Sequence, residues 1–205
     1  HIGKVEKGSL EIGENVNLLI DVKKRNKLKA NHSATHLLHE SLRRTLGKHV
    51  MQKGSLVSPE KLRFDFSHNK PIEKNEMIKI NKIVNKIVLD SSNVQTRIMT
   101  PKEAVKLGAM ALFGEKYGEE VRVVFMGKEN NNFFSTELCG GTHVNNTKEI
   151  GSFSVVSQSS VASGVRRVEA LRGEQLTKFE NKSNENKKNK DKDLSIQINS
   201  IKKEL

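Results

Sequence analysis

The sequence predicts an α+β fold on three observations. Short runs alternate polar and apolar residues, as half-buried strands require. Two longer stretches repeat their apolar residues at spacings of three and four, as helices require. Gly, Pro and Asn punctuate the joins. The chain has 205 residues, enough for one large domain or two small ones with a buried core. Apolar residues are 35% of it, with no Trp and one Tyr, so the core must rest on Leu, Ile, Val and the eight Phe.

Residues 1–25 read as a small β unit. Gly3, Gly8 and Gly13 divide short stretches, and Asn15 to Val22 has the pattern of a strand. From Asn26 to Leu46 the pattern is helical. Leu38, Leu42 and Leu46 make one stripe and Leu37 another, so the helix is buried on more than one side, and Gly47 ends it. Val50 to Val57 and Leu62 to Ser67 read as strands joined at Ser58-Pro59. Pro71 precedes a second helix, Lys74 to Leu89, whose inner face is Ile80, Ile83, Val84, Ile87 and Val88. Val94 to Met99 reads as a strand. Thr100-Pro101-Lys102-Glu103 has the form of a capping box with Pro at the first helical position. Val121 to Met126 is a β run, Gly127 to Asn132 a hairpin-like turn, and Phe133 to Glu137 leads into a loop at Cys139. Ser152 to Ser157 and Val165 to Leu171 are the last strands. Residues 181–193 are almost all polar and cannot bury enough surface to fold alone. Leu194, Ile198, Ile201 and Leu205 then begin a heptad-like helix that wants a partner. The boundaries are 1–25, 26–175 and 176–205.

Charge and cysteine usage narrow the class. The net charge is +12, from 36 basic and 24 acidic side chains. Such an excess favours a polyanion, most often nucleic acid; a Lys-rich solvated surface is the competing reading. A single Cys excludes an internal disulfide and fits a reducing compartment, hence a cytoplasmic location. No apolar run nears the roughly 18 residues of a membrane span, and no signal segment opens the chain. It begins at His1 rather than Met and so reads as a fragment or processed form.

Four residues read as one metal site. His32 and His36 lie four apart on a helix, hence on one face; Cys139 and His143 flank a pliable Gly-Gly pair. One thiolate and three imidazoles are a zinc-like donor set. His39, one turn beyond His36, either joins that face or is a solvated residue. A zinc protease is excluded because Ser33 stands where the general-base Glu would follow the first His. The deaminase pattern and a Walker loop are also absent. Four protein ligands suit a closed structural zinc, whereas catalysis wants an open position, so both roles stand.

Six ordered strings resemble the editing domain of alanyl-tRNA synthetases. They are Asn31-His-Ser-Ala-Thr-His-Leu-Leu-His39, Gln52-Lys-Gly-Ser-Leu-Val57, Leu62-Arg-Phe-Asp-Phe-Ser-His68, Ala111-Leu-Phe-Gly-Glu-Lys-Tyr117, Cys139-Gly-Gly-Thr-His143 and Ser163-Gly-Val-Arg-Arg-Val-Glu-Ala170. The resemblance covers about residues 1–175. It implies an antiparallel sheet with packed helices, preceded by part of a small β-barrel, and one zinc. The implied reaction is hydrolysis of serine or glycine wrongly esterified to alanine tRNA. The implied partners are the acceptor end of that tRNA and the aminoacylation and C-terminal domains of the same protein, with the ATP-dependent charging site outside this chain. By the same resemblance His32, His36, Cys139 and His143 are metal ligands, Thr35 meets the serine hydroxyl, and Gln52 lines the pocket. Arg63, Asp65, Arg166 and Arg167 are further candidates for substrate or RNA. Strand alternation sets Arg63 and Asp65 opposite Phe64 and Phe66, where they line a pocket or form a cross-strand pair. It also lets only one of Arg166 and Arg167 face the site. A free-standing trans-editing protein and a non-catalytic zinc-stabilised tRNA-binding module are the alternatives.

Overall fold

A computed structural model describes residues 3–110, 118–130 and 132–186. The Ala111–Tyr117 string and the heptad-like residues Leu194 to Leu205 lie outside them. Among the described residues the chain forms α1 (Val22–Leu46), β1 (Gln52–Val57), β2 (Leu62–Ser67), α2 (Lys74–Leu89), β3 (Gln95–Met99) and α3 (Pro101–Lys106). It continues as β4 (Val121–Glu129), β5 (Asn132–Leu138), a 3-10 turn (Thr147–Ile150), β6 (Phe153–Ala162) and β7 (Val165–Arg172). Residues 173–186 are helical. The strands make two sheets, β1-β2-β7-β6 and β3-β4-β5, and every strand pairing within them is antiparallel. The α+β expectation holds, and the described residues contain no closed barrel.

The expected strand at Asn15–Val22 is not formed. Residues 3–21 carry no strand, and Leu18 and Leu19 are 82% and 94% exposed. A strand is held by a neighbour's ladder, and none of the described strands lies beside this segment. Helix α1 instead starts at Val22, where the Asp21 side chain accepts from the Lys24 N–H at 2.9 Å. It ends with the Gly47 N–H on the Arg43 carbonyl at 2.9 Å.

From Ala30 to Leu42 almost every residue of α1 is buried, polar ones included. Buried polar groups need partners, and each of these side chains finds at least one, although Asn31 Oδ1 and His39 Nε2 find none among the described residues. Asn31 donates to the Ser58 carbonyl at 2.6 Å and Ser41 to the Leu37 carbonyl at 2.7 Å. The main core packs Leu37, Leu38 and Leu42 of α1 against Leu62, Phe64 and Phe66 of β2, Ile80 and Val84 of α2, and Val168 and Ala170 of β7. Strand β4 divides the molecule by alternation. Val124 and Met126 enter the main core, while Val121, Val123 and Phe125 enter a second cluster with Ala104 and Leu138.

Several boundaries differ from the sequence reading, three of them informatively. Gly127 is inside β4 rather than in a turn; a Cβ there would come within 2.7 Å of Ile87 and Phe134, so the strand passes where only glycine fits. β6 runs on to Ala162 through a polar edge. The helix over residues 173–186 enters the expected polar linker, with Leu176 buried and a Glu174–Lys178 pair at 2.6 Å. None of the described helices is long and apolar enough to cross a membrane.

Candidate metal centre

The four expected ligands converge. α1 supplies His32 and His36 one turn apart; Cys139 follows the end of β5, and His143 comes four residues later. Their ligand atoms all lie within 4.8 Å of one another. Cys139 Sγ is 3.4 Å from His143 Nε2 and 3.5 Å from His32 Nε2. Tetrahedral zinc with Zn–N near 2.05 Å and Zn–S near 2.3 Å sets sulfur and nitrogen about 3.5 Å apart, so the donor set fits the ion.

Each histidine turns its Nδ1 to a protein partner. His32 Nδ1 lies 3.3 Å from the Thr142 carbonyl, His36 Nδ1 2.7 Å from Glu137 Oε2, and His143 Nδ1 3.1 Å from Ser33 Oγ. This fixes Nε2 as the atom facing the site, the arrangement typical of metal-binding histidines. Burial opposes charge on Cys139, yet hydrogen bonds from His143 and His32 and the neighbouring His36 hold its thiol down at about 3. Burial and the nearby His36 lower His143 to about 4 despite the pull of Cys139. Burial also disfavours the His36 cation, but Glu137 and Cys139 outweigh it and raise its pKa. The Glu137 carboxyl, which burial alone would raise, is held below the usual carboxylate range by His36 and His39. The thiolate and imidazoles form a donor set that a divalent cation would bind with release of the His36 proton.

The loop is latched from β4. Arg122 donates to the carbonyls of Cys139 at 2.9 Å and Gly141 at 2.7 Å. Gly141 packs against His32, and a Cβ on it would strike the imidazole ring, whereas nothing lies within 4 Å of one on Gly140. Gly141→Ala should therefore weaken zinc binding by about tenfold or more, on the scale of disturbed ligand orientation. Gly140→Ala should leave it unchanged; competition with a chelator measures both.

The other candidates are scattered. Thr35 is buried, and its hydroxyl donates to the Asn31 carbonyl at 2.9 Å. Gln52, half-buried, pairs with Phe66 across the sheet, while Gly54 pairs with Asp65. The extra residue between them, Lys53, is a β-bulge that sets Gln52 on the face carrying Phe64 and Phe66, toward α1. Asp65 instead forms a cross-strand pair with Arg167, Oδ1 to Nε and Oδ2 to Nη2 both at 2.7 Å, with Arg63 Nε at 3.9 Å. That pair lies on the face opposite Phe64. Arg166 points the other way and donates to Gln158 at 3.2 Å. His39 is buried rather than solvated. The sequence reading missed Glu137, Ser33 and Arg122 as partners of the site. The one available signal was Glu137 itself, the sole carboxylate in the strand leading to Cys139.

Residues 121–169, which hold Cys139 and His143, match the family described as "Threonyl and Alanyl tRNA synthetase second additional domain". "Alanine--tRNA ligase" of Parvibaculum lavamentivorans is 55% identical over 177 residues, 85% of this chain and 20% of the relative. That of Mesorhizobium japonicum is 56% identical over 183 residues, 87% of this chain and 21% of the relative. The ligase of Chelativorans sp. is 55% identical over 178 residues, 84% of this chain and 20% of the relative. The chain spans about a fifth of the length of these relatives. On these matches the chain belongs, as a segment, to the alanine--tRNA ligase family, in the region that carries the second additional domain.

Proposed function

We propose that this chain hydrolyses the ester joining serine or glycine to alanine tRNA, at a zinc site formed by His32, His36, Cys139 and His143. The observation that carries the reading is the convergence of three imidazoles and one thiolate between α1 and the Cys-Gly-Gly-Thr-His loop. The need for such a site is physical. A pocket shaped for alanine cannot exclude smaller glycine by size, and rejects the extra hydroxyl of serine only modestly. A second site must remove what the first admits. Water adds to the ester carbonyl, the bond to the ribose oxygen breaks, and the free amino acid and tRNA leave. Bound zinc supplies a positive centre that orients the aminoacyl group.

Thr35 and Gln52 are the residues that recognise the substrate. The Thr35 hydroxyl spends its proton on Asn31, which leaves Oγ1 lone pairs to accept from a seryl hydroxyl. Gln52, turned by the bulge toward α1, brings an amide to the same side of the sheet. The net charge of +12 docks the acceptor end of the tRNA through its phosphates, with strong salt dependence. The aminoacylation and C-terminal domains of the ligase are the other partners, in the cytoplasm where charged tRNA is used.

Release of serine from mischarged alanine tRNA tests this. Gln52→Ala should slow release about tenfold, one lost hydrogen bond of ~1.4 kcal/mol, with zinc retained; an unchanged rate removes Gln52 from the site. A second reading is favoured by the four protein ligands, which suit a closed structural zinc. A zinc-loaded parent that binds tRNA but releases no serine would select that reading, a tRNA-binding module.

A further inference from the structure

Glu137 offers no atom to the metal group, yet it is the most fully engaged side chain beside it. It is 2% exposed on β5. Its Oε2 lies 2.7 Å from His36 Nδ1 and 3.4 Å from His39 Nδ1, and its Oε1 accepts from Ser135 Oγ at 3.1 Å. His39 is one turn beyond His36 on α1, 4% exposed, with its ring 5.1 Å from that of Phe64. Its Nε2 is buried without a partner among the described residues. A buried N–H left unpaired costs more than a buried lone pair, so the His39 proton sits on Nδ1, the nitrogen that faces Glu137.

We propose that Glu137, clamped by His39 and Ser135, is the positioning residue that sets His36 for the metal, so that His39 acts on the site at one remove. The inference rests on the zinc reading above. A metal takes the Nε2 lone pair only if the imidazole proton is on Nδ1, and in a buried place that proton needs an acceptor. His32 and His143 have neutral acceptors, the Thr142 carbonyl and the Ser33 hydroxyl, whereas His36 has a carboxylate. One donor would leave that carboxylate free to swing. Three donors, from α1 and from β5 itself, hold it in one rotamer and tie the helix to the strand that delivers Cys139.

The test uses the 205-residue chain with zinc and with cobalt(II) as probes. Affinity is read by chelator competition, geometry by the visible bands of the cobalt form, and folding by circular dichroism. In His39→Asn the amide N–H stands near the place of Nδ1, so the donor to Glu137 survives; His39→Leu removes it. Loss of outer-shell support typically costs 10- to 100-fold in metal affinity. His39→Leu and Glu137→Gln should each fall about tenfold or more and shift the cobalt bands, while His39→Asn stays within about twofold of the parent. The double variant should be no weaker than Glu137→Gln alone, because His39 works through Glu137. Ser135→Ala removes the other donor with the loss of one atom. It should weaken binding about threefold or more, an arm that stands even where His39→Leu fails to fold. Unchanged affinity and spectrum in His39→Leu or in Ser135→Ala would overturn the inference, as would His39→Asn as weak as a folded His39→Leu. A parent that binds neither ion would overturn the zinc reading itself, a failure distinct from these.

Discussion

Cys139→Ala is expected to leave the protein without stoichiometric zinc and to lower its melting temperature by about 10 °C. Cys139 is the only thiolate of the site, and the ion would join side chains 107 residues apart in sequence, His32 and Cys139. A ligand that binds only the folded state at 1,000 times its Kd adds about 4 kcal/mol. In a domain of this size each kcal/mol moves Tm by roughly 2–4 °C. Melting curves of parent and variant, each with and without a strong chelator, check it. The chelator should bring the parent down to the variant and leave the variant where it is. A parent whose Tm ignores the chelator would show that zinc contributes nothing to this fold. Serine release should vanish in the variant, but only alongside the metal.

The second large effect belongs to the core beneath the site. Phe64→Ala should cost about 3–5 kcal/mol, the range for emptying a fully buried aromatic position. Phe64 is 0% exposed, with its ring 5.1 Å from that of His39 and 6.0 Å from that of Phe66. Because His39 rests on it, zinc affinity should fall too. Leu56, 42% exposed on β1, supplies the contrast: its truncation should cost about 1 kcal/mol or less. Urea unfolding measures both, and equal midpoints for the two variants would mean that the sheet face carrying Phe64 is not the core.

Legibility in the sequence followed the strength of local pattern. Leu62–Ser67 and Lys74–Leu89 were read to the residue, because polar-apolar alternation in one and three-four spacing in the other mark the element and its apolar face; only Asp65, paired with Arg167, is buried against the alternation. The capping box at Thr100 was equally plain: the Glu103 carboxylate accepts from the Thr100 N–H at 2.8 Å and the Thr100 hydroxyl from the Glu103 N–H at 3.3 Å. Asn15–Val22 misled because its residues suit a strand, and suitability does not supply a neighbour. The second half of β6 was hidden for the opposite reason. Gln158 to Ala162 is a polar exposed edge, held by its pairing with β7 rather than by apolar alternation. At the site, donor chemistry alone singled out His32, His36, Cys139 and His143, the four side chains that the fold brings together. The supports did not announce themselves. Glu137 meets His36 across 101 residues of sequence, and Arg122 looks like any charged strand residue until it reaches the Cys139 and Gly141 carbonyls. The Asp65–Arg167 pair was one of two sequence-compatible outcomes, and only packing chose it.

On the zinc reading, one ion closes α1 onto the loop after β5 through one sulfur and three nitrogens. X-ray absorption at the zinc edge, on protein purified without chelators, tests it most directly. The expected shell is one sulfur near 2.3 Å and three nitrogens near 2.0–2.1 Å. A protein that retains no zinc, or whose zinc has a shell of light atoms with no sulfur, would contradict it.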